Sequence, residues 1–100
     1  ISATICWMDN AAFLNGQKLI LQQNSFRTKA VIKEVGAKID VHSFAEQTGD
    51  GSLKLNEISR VLIRTAEELS YDSYSQNRKT GAFVLINENT NTTVAAGIIN

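Results

Sequence analysis

The chain has 100 residues, 43% hydrophobic and 20% charged, which suffices for one domain with a modest core of its own. Ten basic and ten acidic side chains cancel, which argues against a dedicated nucleic-acid or anionic-membrane binder while leaving room for a local basic patch. The single cysteine excludes an internal disulfide and no apolar run reaches the roughly 20 residues that span a bilayer, so a reducing, cytoplasmic setting is expected.

Residues 1–8 alternate as a strand with Ala3, Ile5 and Trp7 on one face. This alternation begins at once and without a methionine, so residues 1–100 are expected to be one domain cut from a longer protein. Asp9, Asn10, Asn15 and Gly16 bracket a turn from which Phe13 and Leu14 should tuck back onto the core. Residues 18–23 read as a short strand with Leu19 and Leu21 together, closed by a turn at Asn24 and Ser25. Proline is absent throughout, so turns fall to Gly, Asn, Asp and Ser.

Residues 26–41 form a long strand-like run, with Thr28, Ala30 and Ile32 on one face and Arg27, Lys29 and Lys33 on the other. The alternation then slips, and Gly36 marks a bulge or bend. Residues 42–52 read as loop. The segment 58–65 is ambiguous. Ile58, Val61, Leu62, Thr65, Ala66 and Leu69 fit helical spacing, whereas Arg60, Leu62 and Arg64 alternate with Val61, Ile63 and Thr65 as in a strand. The local pattern leans to helix; the surrounding strands, which need partners for their edges, lean the other way.

The last third is the most specific stretch. Residues 71–81 make a polar loop with aromatic anchors, and two apolar segments, 82–86 and 94–99, flank a turn rich in Asn and Thr, the pattern of a hairpin. Five or six short strands with turn signals between them point to an antiparallel barrel or sandwich, with Trp7, Phe83 and Val94 in its core.

Chemistry is sparse. Cys6 reads as a small buried hydrophobe and His42 as an ordinary loop residue. One His and one Cys fall short of a metal ligand set, and no Gly-rich phosphate cradle is present. No catalytic, cofactor-binding or metal residue is therefore assigned. Residues 46–57 align loosely with a calcium loop, with Gly51 at the glycine and Glu57 at the last ligand. Glu46 and Thr48 suit the early ligand positions poorly, and residues 38–44 make a poor entering helix. Arg27, Lys29, Lys33, Lys38, Arg60 and Arg64 could form a basic stripe if their strands are neighbours, but a solvated strand face is the plainer reading. Asn91-Thr92-Thr93 matches a glycosylation signal and is better explained as turn chemistry.

Several ordered pieces go further: Ala3-x-Ile5-x-Trp7-Met8-Asp9, Leu14-x-Gly16, Thr28-x-Ala30-Val31-Ile32, Lys38-Ile39-Asp40-Val41 and Leu55-Asn56-Glu57-Ile58. Tyr71-Asp72-x-Tyr74-x-x-Asn77-Arg78-x-Thr80-Gly81-x-Phe83 and Thr90-Asn91-x-Thr93-Val94-x-Ala96-Gly97-Ile98-Ile99 complete the set. In this order the chain resembles the C-terminal β-barrel of the translation-factor GTPase superfamily, and within it the large, GTP-binding subunit of sulfate adenylyltransferase. It departs from that family in lacking proline and in placing His42 where Asn is expected, both in loops.

The resemblance implies an all-β, six-stranded closed antiparallel Greek-key barrel like the C-terminal domain of elongation factor Tu, which makes residues 58–65 a strand. It implies a parent subunit that hydrolyses GTP, with GTP and Mg held by a preceding domain, while this barrel is non-catalytic. Implied partners are the preceding GTPase and middle barrel domains and the small catalytic subunit that forms adenylyl sulfate from ATP and sulfate. A translation-factor barrel that binds tRNA or another RNA is the rival expectation. Tyr74, Asn77 and Arg78 are the candidate interaction residues, with a turn cap at Asn77 and an Arg78–Asp72 pair as the plainer alternative.

Overall fold

The computed structural model describes all residues except Val41, Phe44, Thr48, Asp50 and residues 68–80. Seven strands occupy the rest: β1 (Ser2–Trp7), β2 (Leu19–Gln23), β3 (Phe26–Ile39), β4 (Glu46–Gln47), β5 (Ile58–Thr65), β6 (Ala82–Asn87) and β7 (Thr93–Ile99). Six of them close on themselves in the order β2-β6-β7-β1-β5-β3, because β3 also pairs with β2. Every pairing is antiparallel. β2, β3 and β5 follow one another as neighbours and β6 returns to lie beside β2, a Greek key. β4 is a two-residue addition on the far end of β3.

The period-two pattern explains which side chains fill the barrel. Ala3, Ile5 and Trp7 of β1, Leu19 and Leu21 of β2, Thr28, Ala30 and Ile32 of β3, and Val61 and Ile63 of β5 are all buried. Phe83 and Leu85 of β6 join Val94, Ala95 and Ile99 of β7 to complete the interior. Trp7 lies at one end of this core. Its ring meets Phe13 edge-on at 5.7 Å, and its indole N–H donates to the carbonyl of Ala11 at 2.8 Å.

Residues 58–65 are a strand, against their local helical spacing. β5 lies between β1 and β3 and satisfies both, which no helix could do. Gly36 falls at a bulge, as its sequence suggested: Gly36 and Ala37 stand opposite Arg60 alone between the pairs Val35–Val61 and Lys38–Ser59. The buried Ser59 side chain sits against this kink. Its Oγ lies 3.3 Å from the Gly36 carbonyl and 3.1 Å from that of Ala37.

Three expectations are corrected. Leu14 does not tuck in with Phe13; it is 70% exposed, because the Phe13 backbone N–H is drawn to the Leu53 carbonyl and Leu53 takes the buried place. Cys6 is half-buried rather than buried, since it occupies the outward side of β1 between Ile5 and Trp7. The loop of residues 42–52 contains β4, held to Lys38 and Ile39.

Candidate interaction surface

The outward positions of β3 and β5 carry most of the exposed cations: Arg27, Lys29 and Lys33 on β3, Arg60 and Arg64 on β5. They do not act as one stripe. Arg60 is taken by the Glu46 carboxylate at 2.5 Å, which ties β4 to β5. Lys38 is largely covered; its ammonium donates to the Ser52 carbonyl and lies 3.6 Å from Glu57. Glu57 in turn accepts the Lys54 backbone N–H at 2.8 Å. These contacts clasp the β4–β5 connection, from which Leu53 enters the core.

A different set of cations surrounds a groove. Along one rung of the barrel, Thr65 of β5 faces Ala30 of β3, Ala30 faces Leu19 of β2, and Leu19 faces Asn87 of β6. Two backbone hydrogen bonds extend the ladder beside it, from Ala66 N–H to Lys29 O at 2.9 Å and from Glu88 N–H to Lys18 O at 3.3 Å. The groove here has a volume of about 300 Å³ and an aliphatic lining of Leu19, Ala30, Val31 and Ala66. Lys18, Lys29, Arg64 and Glu88 stand around it. Lys29 approaches Glu88 only to 3.7 Å with its side chain 77% exposed, a weak pair. Lys18 and Arg64 form no ion pair with any described residue.

Sequence reasoning placed Lys29 and Arg64 on a possible basic face but missed Lys18 and the groove itself. Only the long-range register, β2 beside both β3 and β6, brings these residues together. Tyr74, Asn77 and Arg78 lie outside the described residues, as does Asp72. Cys6 and His42 share no hydrogen bond; the exposed His42 donates its backbone N–H to the Asp40 carboxylate at 2.8 Å. The calcium-loop alignment fails on its own geometry. Glu46 lies in a strand paired with Arg60, Glu57 faces Lys38, and Lys38 and Ile39 are strand rather than entering helix. Among the described residues no group of three His, Cys, Asp or Glu side chains gathers. Asn91 takes a left-handed turn conformation (φ 58°), as turn chemistry requires. Among the described residues no helix is long and apolar enough to cross a membrane.

Comparison with known proteins agrees with this architecture. The family model described as GTP-eEF1A C-terminal domain-like matches residues 1–100. A bifunctional enzyme CysN/CysC of Mycobacterium tuberculosis is 39% identical over 98 residues, 97% of this chain and 16% of that protein. The bifunctional enzyme NodQ of a Rhizobium species is 38% identical, over 98% of this chain and 15% of its own length. Sulfate adenylyltransferase subunit 1 of Teredinibacter turnerae is 33% identical, over 98% of this chain and 21% of that protein. The chain thus spans about a fifth or less of the relatives it matches. Among solved structures, that of sup35 complexed with GDP superposes with a TM-score of 0.87 over 99% of this chain and 24% of its own, at 15% identity, a likeness of fold. The chain belongs to the GTP-eEF1A C-terminal domain-like family.

Proposed function

We propose that this barrel is the C-terminal, non-catalytic part of a GTP-binding subunit of sulfate adenylyltransferase. In such an assembly a small subunit forms adenylyl sulfate from ATP and sulfate, and GTP hydrolysis in the large subunit drives the step. The observation that carries this reading is identity of 33–39% along almost the whole chain to CysN/CysC, NodQ and sulfate adenylyltransferase subunit 1. Residues 1–100 would then be one domain of a longer cytoplasmic GTPase subunit, and GTP and Mg would belong to a preceding domain. The barrel's own work is packing, against the preceding GTPase and middle barrel domains and toward the catalytic small subunit. Tyr74, Asn77 and Arg78, in the family's polar loop, are the proposed contacts on that side.

Two measurements test the proposal. The purified 100-residue chain should neither bind nor turn over GTP; measurable turnover would overturn the non-catalytic assignment. Grafted in place of the matching segment of a sulfate adenylyltransferase subunit 1, the chain should preserve GTP-dependent adenylyl sulfate formation. A graft that folds and joins its small subunit but loses that coupling entirely would contradict the assignment to this enzyme.

A further inference from the structure

The chain is neutral overall, yet three of its cations, Lys18, Lys29 and Arg64, stand around one groove on the Thr65–Ala30–Leu19–Asn87 rung. Its four charged residues leave an excess of two positive charges, and among the described residues two of its cations, Lys18 and Arg64, form no ion pair. Between them lies an aliphatic floor. An aliphatic hollow flanked by cations is complementary to a ligand that carries carboxylates beside an aliphatic side chain. Arg64 adds the planar fork that suits a carboxylate in two-point contact.

We propose that this groove is a docking site for an acidic peptide segment of a partner protein, one that presents a leucine-like side chain between carboxylates. The aliphatic residue fills the hollow over Leu19, Ala30 and Val31, and the flanking carboxylates meet Lys18 and Arg64. A volume of about 300 Å³ accommodates one or two side chains, the scale of a peptide anchor. RNA fits the same place less well. Single-stranded nucleic acid is held by stacking on aromatic rings along an extended basic track, and no aromatic ring stands among the described lining residues. The inference rests on the groove's own chemistry and is independent of the sulfate adenylyltransferase assignment.

The test is fluorescence anisotropy of the 100-residue chain with a short fluorescein-labelled peptide of alternating aspartate and leucine. Binding should saturate and weaken as salt is raised. The matching asparagine–leucine peptide should bind about fivefold or more weakly, and Lys18→Ala and Arg64→Ala should each weaken the aspartate peptide by about two- to fivefold, the range of partly exposed charge pairs. Among the described residues neither side chain forms an ion pair, so the variants should keep the parent circular-dichroism melt. Arg27→Ala, an exposed cation on β3 away from the groove, should leave affinity unchanged. Val31→Glu places a carboxylate at the floor and should abolish binding. The proposal fails if the Lys18→Ala/Arg64→Ala double variant binds as well as the parent, or if Arg27→Ala loses as much. It fails equally if no saturation occurs by millimolar protein, or if a short oligouridylate binds more tightly than the peptide.

Discussion

At Gly97 the barrel leaves no room for a side chain. The residue faces the interior opposite Ile5 on β1 and Phe83 on β6. A Cβ here would stand 2.6 Å from Ile5 Cγ2, 2.8 Å from Phe83 Cζ and 2.8 Å from the Thr4 carbonyl oxygen. The last of these is backbone, so relief requires the β1–β7 ladder itself to shift. Gly97→Ala is expected to lower stability by about 1–3 kcal/mol, read as a lower urea midpoint at unchanged slope. Gly16 is the fitting control. It has open space around it but a φ of +81°, so Gly16→Ala should cost only local strain of about 1 kcal/mol. Equal losses at the two sites would mean that the interior repacks freely. Ser59→Ala tests the kink in β3 in the same way. Its hydroxyl sits against the Gly36 and Ala37 carbonyls in a fully buried position, and its loss should cost about 1–2 kcal/mol in urea unfolding. At this scale the sequence tells which residues alternate inward, but not which of two adjacent apolar residues wins a place. Phe13 and Leu14 look alike in a turn; only the Phe13–Leu53 backbone hydrogen bond decides between them.

Turns and strand pairing decide the elements. Without proline, three turns among the described residues rely on asparagine in the left-handed region: Asn24, Asn56 and Asn91, with φ of 55°, 67° and 58°. In the β6–β7 connection the Asn87 side chain accepts the backbone N–H groups of Asn89 and Thr90, while Asn91 N–H returns to Asn87 O at 2.8 Å. Asn91→Val should therefore cost about 1–2 kcal/mol, since a branched side chain clashes with its own backbone there. Asn91→Gly should stay within about 0.5 kcal/mol of the parent. Paired thermal melts check both; a loss in the glycine variant as large as in the valine variant would point to the side chain instead. The β4–β5 clasp offers another measurement. Lys38→Ala removes the donor to Ser52 and the partner of Glu57, and should lower stability by about 1–2 kcal/mol. β5 shows why local reading stalls at this scale. Leu62 and Ile58 point outward, so the apolar residues of the segment mimic a helical stripe although Ser59, Val61 and Ile63 alternate inward. What makes it a strand is the pair of neighbours it must bridge, and those are remote in the chain. β4 gave no alternation to find, because two exposed residues carry none.

For the molecule as a whole, closure is the governing fact. β1 pairs with β5 and β7, so the first strand cannot complete its hydrogen bonds until the last has formed. Such non-local pairing places refolding in the millisecond-to-second range. With no proline in the chain, no phase of tens of seconds from prolyl isomerisation should follow. Stopped-flow tryptophan fluorescence reads this directly from Trp7, the one tryptophan; a dominant minute-scale phase would contradict it. The barrel was legible because inward alternation and family-specific pieces run through the whole chain. The groove was not, since Lys18, Lys29, Arg64 and Glu88 lie on four separate stretches that only the barrel's stagger unites.

The meeting of the two ends has a mechanical consequence. Asn100 N–H donates to Ser2 O at 3.1 Å, and the Thr4 hydroxyl reaches the Asn100 side chain at 3.0 Å, so the first and last residues leave the barrel from the same rim. β1 and β7 run antiparallel from that rim. A force drawn between residues 1 and 100 would load their hydrogen bonds one after another, as a zipper opens, rather than all at once in shear. The barrel would thus resist heat as a closed ring yet yield early to tension along its own chain.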